Sequence, residues 1–524
     1  MKKKNLFMIM FLLIVLLLVG CTQPETEVDV PGDVQNESDD AEVVSDEESP
    51  PSEKRDTVRT SYVQQVTTAD PHNNNGIIAH NQALWQTFEP LFRVNSKEVI
   101  PLLATNYDLS DDGLTYKFYL REDVKFHNGD TMTADDVVWS VNRALENPHY
   151  ANKLAAFKEI RKVDDFTVEV ETSYVNVYFF NEFNYICILS QRAVEEAGED
   201  YGTKAIDSGT GPYRMTYFKG DERIEYEAFP DYYLGEPSIK KAIHTLVIDA
   251  STLFVSFQNG ELDFTTIPES NWNEIAESGK YNLELAQTEH TTYILINNSR
   301  PPFDDKLVKQ ALNYAVDREE IVIMAYEGLA DIAYIQANPE VVFGSSLEGI
   351  DIYDYNPEKA RELLAEAGYP DGFDMTITCA NIYFFEKIAN IFQAELADIG
   401  INADIEIVEA SAGRAKYVAG DFDVGVMGLN VENSIDFLYV YYEPEKGNKY
   451  MQVTDLYPSQ LLLQARSELD EDKRMDIYQE FTEYTNENAF TIPLFYRYMP
   501  YAWDKDLNAS ITFGYFFYED FNWN

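Results

Sequence analysis

The most informative segment of the chain is residues 114–145, which read LTYKFYLREDVKFHNGDTMTADDVVWSVNRAL. Apolar and polar side chains alternate over 114–120, which predicts a β-strand. The HNGD sequence at 127–130 predicts a tight turn. The TADD sequence at 133–136 has the spacing of a capping box, and the apolar residues after it recur at helical intervals. The segment therefore predicts a strand, a turn and an amphipathic helix in succession.

A second informative segment, residues 356–407, indicates the fold class. Asn356-Pro357 predicts the start of a helix that ends at Gly368. A second amphipathic helix is predicted over 384–399, and residues 401–407 then alternate as a strand. Such helix–strand units are typical of an α/β fold with a parallel or mixed sheet.

The composition is that of a large, strongly acidic globular chain. Its 524 residues carry 40 basic and 91 acidic side chains, a formal net charge of -51. Hydrophobic residues make up 45% and aromatic residues 14%, so there is ample material for several cores. An acidic surface repels a phosphate backbone, so we expect no nucleic-acid partner.

The N-terminus has the pattern of a bacterial lipoprotein signal. Lysines at 2–4 precede an uninterrupted apolar run over 6–19, which is shorter than the roughly 20 residues of a membrane-spanning helix. The next residues, LVGC at 18–21, resemble a lipobox. The resemblance implies that 1–20 are a signal peptide and that Cys21 receives a lipid; the alternative is a chance cysteine after a secretory signal.

Residues 21–56 have the composition of a disordered tether. They contain 13 acidic and 2 basic residues and lack apolar periodicity. Such a stretch cannot bury enough apolar surface to offset the loss of chain entropy. We expect it to hold a folded body away from a membrane surface.

Motifs for catalysis, metal binding and cofactor binding are missing from the sequence. There is no nucleophile elbow, zinc-protease motif, Walker A motif or dinucleotide fingerprint, and the six histidines occur singly. Cys187 and Cys379 are interpreted as small buried hydrophobic residues rather than a disulfide. The sequence therefore predicts a protein that is not an enzyme, with no cofactor and no metal.

Further segments along the chain share one resemblance. They include EPLF at 89–92, SGTGPY at 208–213, DYYLGEP at 231–237, PPFDDKLVKQALNYAVDR at 301–318 and YNPEKARELLAEAGYPDG at 355–372. Together with residues 120–140 they resemble family 5 of the extracellular solute-binding proteins, the oligopeptide and dipeptide receptors of ABC importers. The resemblance extends from about residue 57 to the C-terminus.

The resemblance implies a two-lobed α/β fold of the type II periplasmic-binding-protein class, with mixed sheets, a hinge and an extra third domain. Domain I is expected at 57–92, 208–290 and 495–524. Domain II is expected at 93–207 and domain III at 291–494. The hinge would lie near 290 and 495, where the chain crosses between the lobes, and its closure would enclose the ligand.

One candidate ligand residue follows from aligning a strand of the chain with the family. Peptide-binding members hold the ligand ammonium with an aspartate after a strand that resembles DVGVMGLNVEN at 423–433. Glu432 occupies that position here, while Leu429 and Asn433 replace aromatic residues of the family pattern. Glu432 is either the ammonium-binding carboxylate or a solvated loop acid, and Asp436 is the alternative carboxylate.

Four weaker candidates complete the predicted site. Asn430 and Asn433 have side-chain amides that suit either peptide amides or sugar hydroxyls. Tyr293, near the expected hinge, and Phe385, at the start of a helix, either line the pocket or belong to the core.

The predicted function is a monomeric, lipid-anchored extracellular receptor that captures oligopeptides for a membrane ABC permease. Members of the family that the sequence resembles also bind oligosaccharides, nickel chelates or haem, so these ligands remain alternatives. A third interpretation, from another functional class, is a surface hydrolase or adhesin on the same scaffold. No catalytic constellation in the sequence favours it.

Overall fold

The computed structural model describes residues 55–73, 78–94, 98–444, 449–512 and 514–524. These residues belong to a single compact unit. The predicted signal peptide, Cys21 and nearly all of the predicted tether lie outside the described residues.

The strands are named in chain order. They are β1 (Thr57–Tyr62), β2 (Phe92–Val94), β3 (Val99–Pro101), β4 (Ala104–Leu109), β5 (Thr115–Leu120), β6 (Phe157–Asp164), β7 (Thr167–Thr172), β8 (Tyr213–Lys219), β9 (Arg223–Ala228), β10 (Lys241–Leu246), β11 (Phe264–Thr266), β12 (Tyr281–Ile296), β13 (Ala330–Ile332), β14 (Asp374–Ala380), β15 (Asn402–Val408), β16 (Val424–Asn430), β17 (Thr491–Asp504), β18 (Leu507–Asn508) and β19 (Asn522–Trp523).

The helices are named in the same way. They are α1 (Ile78–Leu84), α2 (Ala134–Ala144), α3 (Pro148–Lys153), α4 (Phe179–Phe183), α5 (Gln191–Ala197), α6 (Ala250–Gln258), α7 (Trp272–Ser278), α8 (Lys306–Tyr314), α9 (Arg318–Tyr326), α10 (Pro357–Glu366), α11 (Tyr383–Asp398), α12 (Ala410–Ala419), α13 (Tyr439–Tyr442), α14 (Tyr457–Ser467) and α15 (Glu471–Glu487).

The predicted strand–turn–helix segment is present as β5 and α2. Strand β5 alternates half-buried and buried side chains, as expected of a strand with one face in a core. At the start of α2 the carboxylate of Asp136 accepts a hydrogen bond from the backbone N–H of Thr133 at 3.0 Å, which confirms the capping box. Cys187 and Cys379 are buried free thiols, as predicted.

The second predicted segment agrees in its elements and differs in the burial of its strand. Helix α10 begins after the N-cap Asn356, and α11 is followed by β15. Along this segment Ile401 and Ala403 are buried, but Ile407 is 54% exposed. Strand β15 lies at the edge of its sheet and pairs with β14 alone, so fewer elements cover its side chains.

One mixed sheet of 11 strands dominates the described part of the chain. Its order is β15-β14-β16-β12-β17-β11-β1-β10-β9-β8, with β13 paired to β17. Strands β14, β15 and β16 are parallel to one another, β1 is parallel to β10, and β12 is antiparallel to both β16 and β17. A separate antiparallel sheet has the order β4-β5-β7-β6.

Strands β12 and β17 connect the two halves of the large sheet. The C-terminal half of β12 pairs with β16, whereas the C-terminal end of β17 pairs with β11. Between these regions the β12–β17 register shifts after Gln287 and again after Thr292. These irregularities lie close to the hinge position expected near residue 290.

Hydrophobic clusters fill the spaces on either side of the sheets. One lies within residues 91–188 and covers the smaller sheet, and another combines residues 58–286 with residues 501–523. Two more lie on opposite faces of β12, because Ile294 and Ile296 face one cluster while Tyr293 and Leu295 face the other. The exact domain boundaries stay predictions.

Candidate ligand-binding site

The end of β16 and the loop after it carry three of the predicted site residues, Asn430, Glu432 and Asn433. Asn430 ends β16 opposite His290 of β12. Asn433 has a φ of 56°, a left-handed conformation that asparagine tolerates better than most residues. Its backbone N–H donates to Glu289 Oε1 at 2.6 Å, which fastens the loop to β12. Glu432 is thereby held between two anchored positions.

Glu432 forms an ion pair with Lys153. The Lys153 Nζ and Glu432 Oε2 atoms are 2.9 Å apart, and the two side chains are only 18% and 24% exposed. The Tyr185 hydroxyl donates to the same carboxylate oxygen at 3.0 Å, and the Tyr178 hydroxyl donates to the Glu432 backbone carbonyl at 3.1 Å. The carboxylate of Glu432 therefore already accepts from an ammonium group and a phenol.

Aromatic side chains surround this ion pair. Lys153 Nζ lies 3.4 Å from the centroid of the Tyr185 ring, a cation–π geometry. The Trp85 ring lies between those of Tyr185 and Tyr515, at centroid distances of 5.9 and 5.1 Å. We call Trp85, Tyr185 and Tyr515 the aromatic wall. Burial raises the pKa of Tyr185 far above its ordinary value, so its hydroxyl stays a hydrogen-bond donor.

Two titratable neighbours are held neutral near neutral pH. Burial, with a smaller contribution from the charge of Glu432, raises the pKa of Glu289 to about 8. Burial, with a smaller contribution from Lys153, lowers the pKa of His149. The fixed charges at the centre of the site are consequently those of Lys153 and Glu432.

Asp436 lies in a different environment from Glu432. It is 1% exposed, and its Oδ2 atom accepts hydrogen bonds from Tyr478 and Ser434. The Arg466 guanidinium is 3.5 Å from the carboxylate and also donates to the Asp436 backbone carbonyl at 2.9 Å. Burial raises the pKa of Asp436. Protein groups thus hydrogen-bond to Oδ2 of Asp436, whereas Oδ1 is buried, faces Arg466 and accepts no hydrogen bond among the described residues.

The structure places Tyr293 and Phe385 in hydrophobic clusters. Tyr293 is fully buried on β12 beside Leu295. Phe385 is 7% exposed on α11, with its ring 4.6 Å from that of Phe384. This degree of burial fits the interpretation that both aromatic side chains belong to the core.

A small cavity lies elsewhere in the protein and contains none of the predicted site residues. Its volume is about 20 Å³, and its lining includes Gln336, Tyr442 and Thr482. This space suits about one water molecule. It is too small to hold a peptide or a sugar.

No local sequence pattern indicates that Lys153, Tyr178, Tyr185 or Glu289 belongs to the site. Lys153 is separated from Glu432 by 279 positions, and the two meet only in the folded chain. The aromatic richness of residues 178–185 was the one available signal, and it indicates a core as readily as a site.

Comparison with known proteins identifies the family. A family model described as "Bacterial extracellular solute-binding proteins, family 5 Middle" matches residues 98–449, more than half of the chain. The chain belongs to family 5 of the bacterial extracellular solute-binding proteins.

Several curated proteins resemble this family 5 protein along most of their length. Heme-binding protein A of Haemophilus influenzae is 30% identical over 388 residues, which cover 68% of this chain and 71% of that protein. The glutathione-binding protein GsiB of Salmonella typhi is 31% identical over 404 residues, with coverages of 75% and 76%. The dipeptide-binding protein of Escherichia coli is 28% identical over 427 residues, covering 74% of this chain and 79% of that protein.

Solved structures share the fold of this family 5 protein. HbpA2 of Haemophilus parasuis has a TM-score of 0.80 at 27% identity, and the match covers 89% of this chain and 100% of the HbpA2 chain. DppA of Helicobacter pylori in complex with the peptide STSA has a TM-score of 0.75 at 23% identity, with coverages of 90% and 98%. The predicted type II periplasmic-binding-protein fold is confirmed.

Family membership establishes the broad role. Family 5 proteins are solute-binding components of ABC importers, extracellular or periplasmic, and are not enzymes. The prediction that this chain is not an enzyme is therefore confirmed. Among the described residues, no helix is both long and apolar enough to cross a bilayer.

Proposed function

We propose that this family 5 protein is a lipid-anchored receptor that captures oligopeptides by hinge closure and delivers them to an ABC permease. Glu432 would bind the ligand ammonium, with Asn430 at the end of β16 and Asn433 on the following loop as further ligand contacts. The observation that carries the proposal is the ion pair between Glu432 and Lys153 at 2.9 Å. A partly buried carboxylate with this geometry is suited to an ammonium group.

The named relatives are consistent with a peptide ligand. The dipeptide-binding and glutathione-binding proteins carry peptide ligands in their names, and they match about three quarters of the chain. Heme-binding protein A matches at similar identity, so haem is one of the alternatives to test, together with oligosaccharides and nickel chelates.

A thermal-shift experiment tests the ligand class. A peptide mixture should raise the melting temperature of the purified protein, because a ligand that binds only the folded state stabilises it by mass action. Cello-oligosaccharides, haem and a nickel–histidine chelate serve as parallel additions. A shift with one of these and none with peptides would refute the peptide ligand.

The Glu432→Gln substitution tests the site. It removes the negative charge while keeping the side-chain size, and we expect peptide affinity to fall at least about tenfold. Glu366→Gln, which removes an equal charge from an exposed position on α10, is the matched control and should leave affinity unchanged. Equal affinities for wild type and Glu432→Gln would contradict the proposed role of Glu432.

The lipid anchor rests on the sequence around Cys21 and is tested separately. Cys21→Ser removes the sulfur that would carry the lipid. The protein should then move from the membrane fraction to the medium or periplasm, as followed by fractionation and immunoblotting. Retention of the variant in the membrane fraction would contradict the lipobox.

A further inference from the structure

The ion pair at the centre of the site joins distant parts of the chain. Lys153 ends α3, within the predicted domain II, and Glu432 follows β16, within the predicted domain III. Both side chains are largely withdrawn from water. Each charge therefore depends on the other for compensation, because an unpaired charge in such surroundings is costly.

A ligand that brings only an ammonium group would unbalance this pair. It would share Glu432 with Lys153, and Lys153 has no other carboxylate within 4 Å among the described residues. Glu182 and Glu289 also interact electrostatically with Lys153, but burial raises their pKa values to about 7 and about 8, and the Glu182 carboxyl group accepts a hydrogen bond from Asn176. A ligand carboxylate would supply the missing negative charge.

The separation of the two charges limits how far apart the ligand charges can be. Nζ of Lys153 and Oε2 of Glu432 are 2.9 Å apart. In an α-amino acid the nitrogen and the carboxylate carbon are bonded to one carbon and lie about 2.5 Å apart. Such a group can lie antiparallel to the protein pair, so that the four charges alternate in sign. The terminal charges of an extended linear dipeptide are about 6 Å apart and do not match.

We propose that, beyond capturing peptides in general, this site prefers solutes with an α-amino-acid head group, in which a free ammonium and a free carboxylate share one carbon. Lys153 binds the carboxylate and is the specificity-determining residue. Free amino acids and peptides linked through a side-chain carboxyl carry this group, whereas the first residue of an ordinary peptide has lost its α-carboxylate to the amide. The inference rests on the proposed binding of the ligand ammonium by Glu432.

Two isomeric dipeptides provide the test. γ-Glutamyl-alanine and α-glutamyl-alanine have the same composition and net charge, but only the γ isomer keeps the ammonium and carboxylate on one carbon. Isothermal titration calorimetry should give at least tenfold tighter binding of the γ isomer. Equal binding, or tighter binding of the α isomer, would overturn the inference. Free glutamate, titrated in parallel, should bind more tightly than alanine amide, which has the ammonium alone; the reverse order would also overturn it.

Variants of Lys153 separate specificity from a structural role. Lys153→Met keeps most of the side-chain stem and removes the charge, and it should abolish the preference for the γ isomer. Lys153→Arg keeps a cation and should retain at least part of that preference. An unchanged isomer ratio in a folded Lys153→Met protein would overturn the assignment, and circular dichroism verifies the folding.

The outcomes also distinguish this inference from the proposed function. If a peptide mixture binds in a Glu432-dependent way but the isomers bind equally, only the inference fails. If neither isomer nor any peptide binds, the proposed function fails with it.

Discussion

Glu289 is a residue of the site whose protonation state should affect stability. Its pKa is raised from 4.5 to about 8 in the folded protein, chiefly by burial. Between these values the unfolded chain loses a proton that the folded protein keeps, so the free energy of unfolding falls as the pH rises. Below pH 4.5 Glu289 is protonated in both states, and above pH 8 it is ionised in both. The free energy of unfolding therefore depends on this residue's titration only between these two pH values.

The Glu289→Gln substitution should remove this pH dependence. Glutamine keeps an oxygen that can accept the Asn433 N–H but does not ionise. The variant should gain stability relative to wild type as the pH rises from 4.5 to 8, by at most about 5 kcal/mol. Urea denaturation at several pH values measures this gain. Glu395, whose pKa is also raised to about 8, titrates in both proteins and cancels in the comparison. A difference independent of pH would contradict the prediction.

Residues of the site differ in how far the sequence could identify them. Glu432 is predictable because its local strand resembles a family pattern. Its partners Lys153 and Tyr185 are not predictable in this way, because the contact depends on how α3 and the loop after β16 approach each other in the folded chain. The raised pKa of Glu289 depends on burial by distant segments, so it too is absent from any local pattern.

At the level of elements, the packing of β16 against β12 depends on a glycine. A Cβ atom added at Gly428 would overlap the imidazole ring of His290 on β12. Gly428→Ala should reduce the free energy of unfolding by about 1–3 kcal/mol, the usual cost of overpacking. Chemical denaturation measures the change.

A double-mutant cycle identifies the cause of this loss. With His290→Ala already present, Gly428→Ala should cost less than half as much, because the overlapping ring is gone. The single variant His290→Ala is the control. Strictly additive effects would show that the ring is not the obstacle.

The elements with strong local signals were predictable, and the long strands were not. Helices α2 and α10 begin at the capping residues that the sequence indicated, Thr133 and Asn356. The 16-residue strand β12 has an apolar pattern only in its C-terminal part. Its polar stretch at 288–290 breaks the alternation, and its pairing with β17 brings together residues about 200 positions apart.

For the whole molecule, the two main sheets predict two cooperative units of unfolding, one for each sheet. The smaller sheet has its own hydrophobic cluster, whereas β12 and β17 tie the halves of the large sheet together. Phe118 is fully buried in the smaller sheet and Phe264 in the large one. Each Phe→Ala change should cost about 3–5 kcal/mol locally.

Hydrogen exchange with mass spectrometry tests this division. Phe118→Ala should accelerate exchange in β4–β7 and leave β12 and β17 protected, since contiguous units open separately. Phe264→Ala, the matched variant, should accelerate exchange in β11, β12 and β17. Equal acceleration of both sheets by Phe118→Ala would mean that the body unfolds as one unit.

The aromatic wall contains Trp85, whose intrinsic fluorescence can report on the site. Of the five tryptophans, Trp85 is the one whose ring is next to Tyr185, and the Tyr185 hydroxyl donates to Glu432. A solute that rearranges the Glu432 ion pair should change the emission of Trp85. In Trp85→Phe that response should vanish while the other four tryptophans still fluoresce, so ligand capture can be followed in unlabelled protein on the stopped-flow timescale.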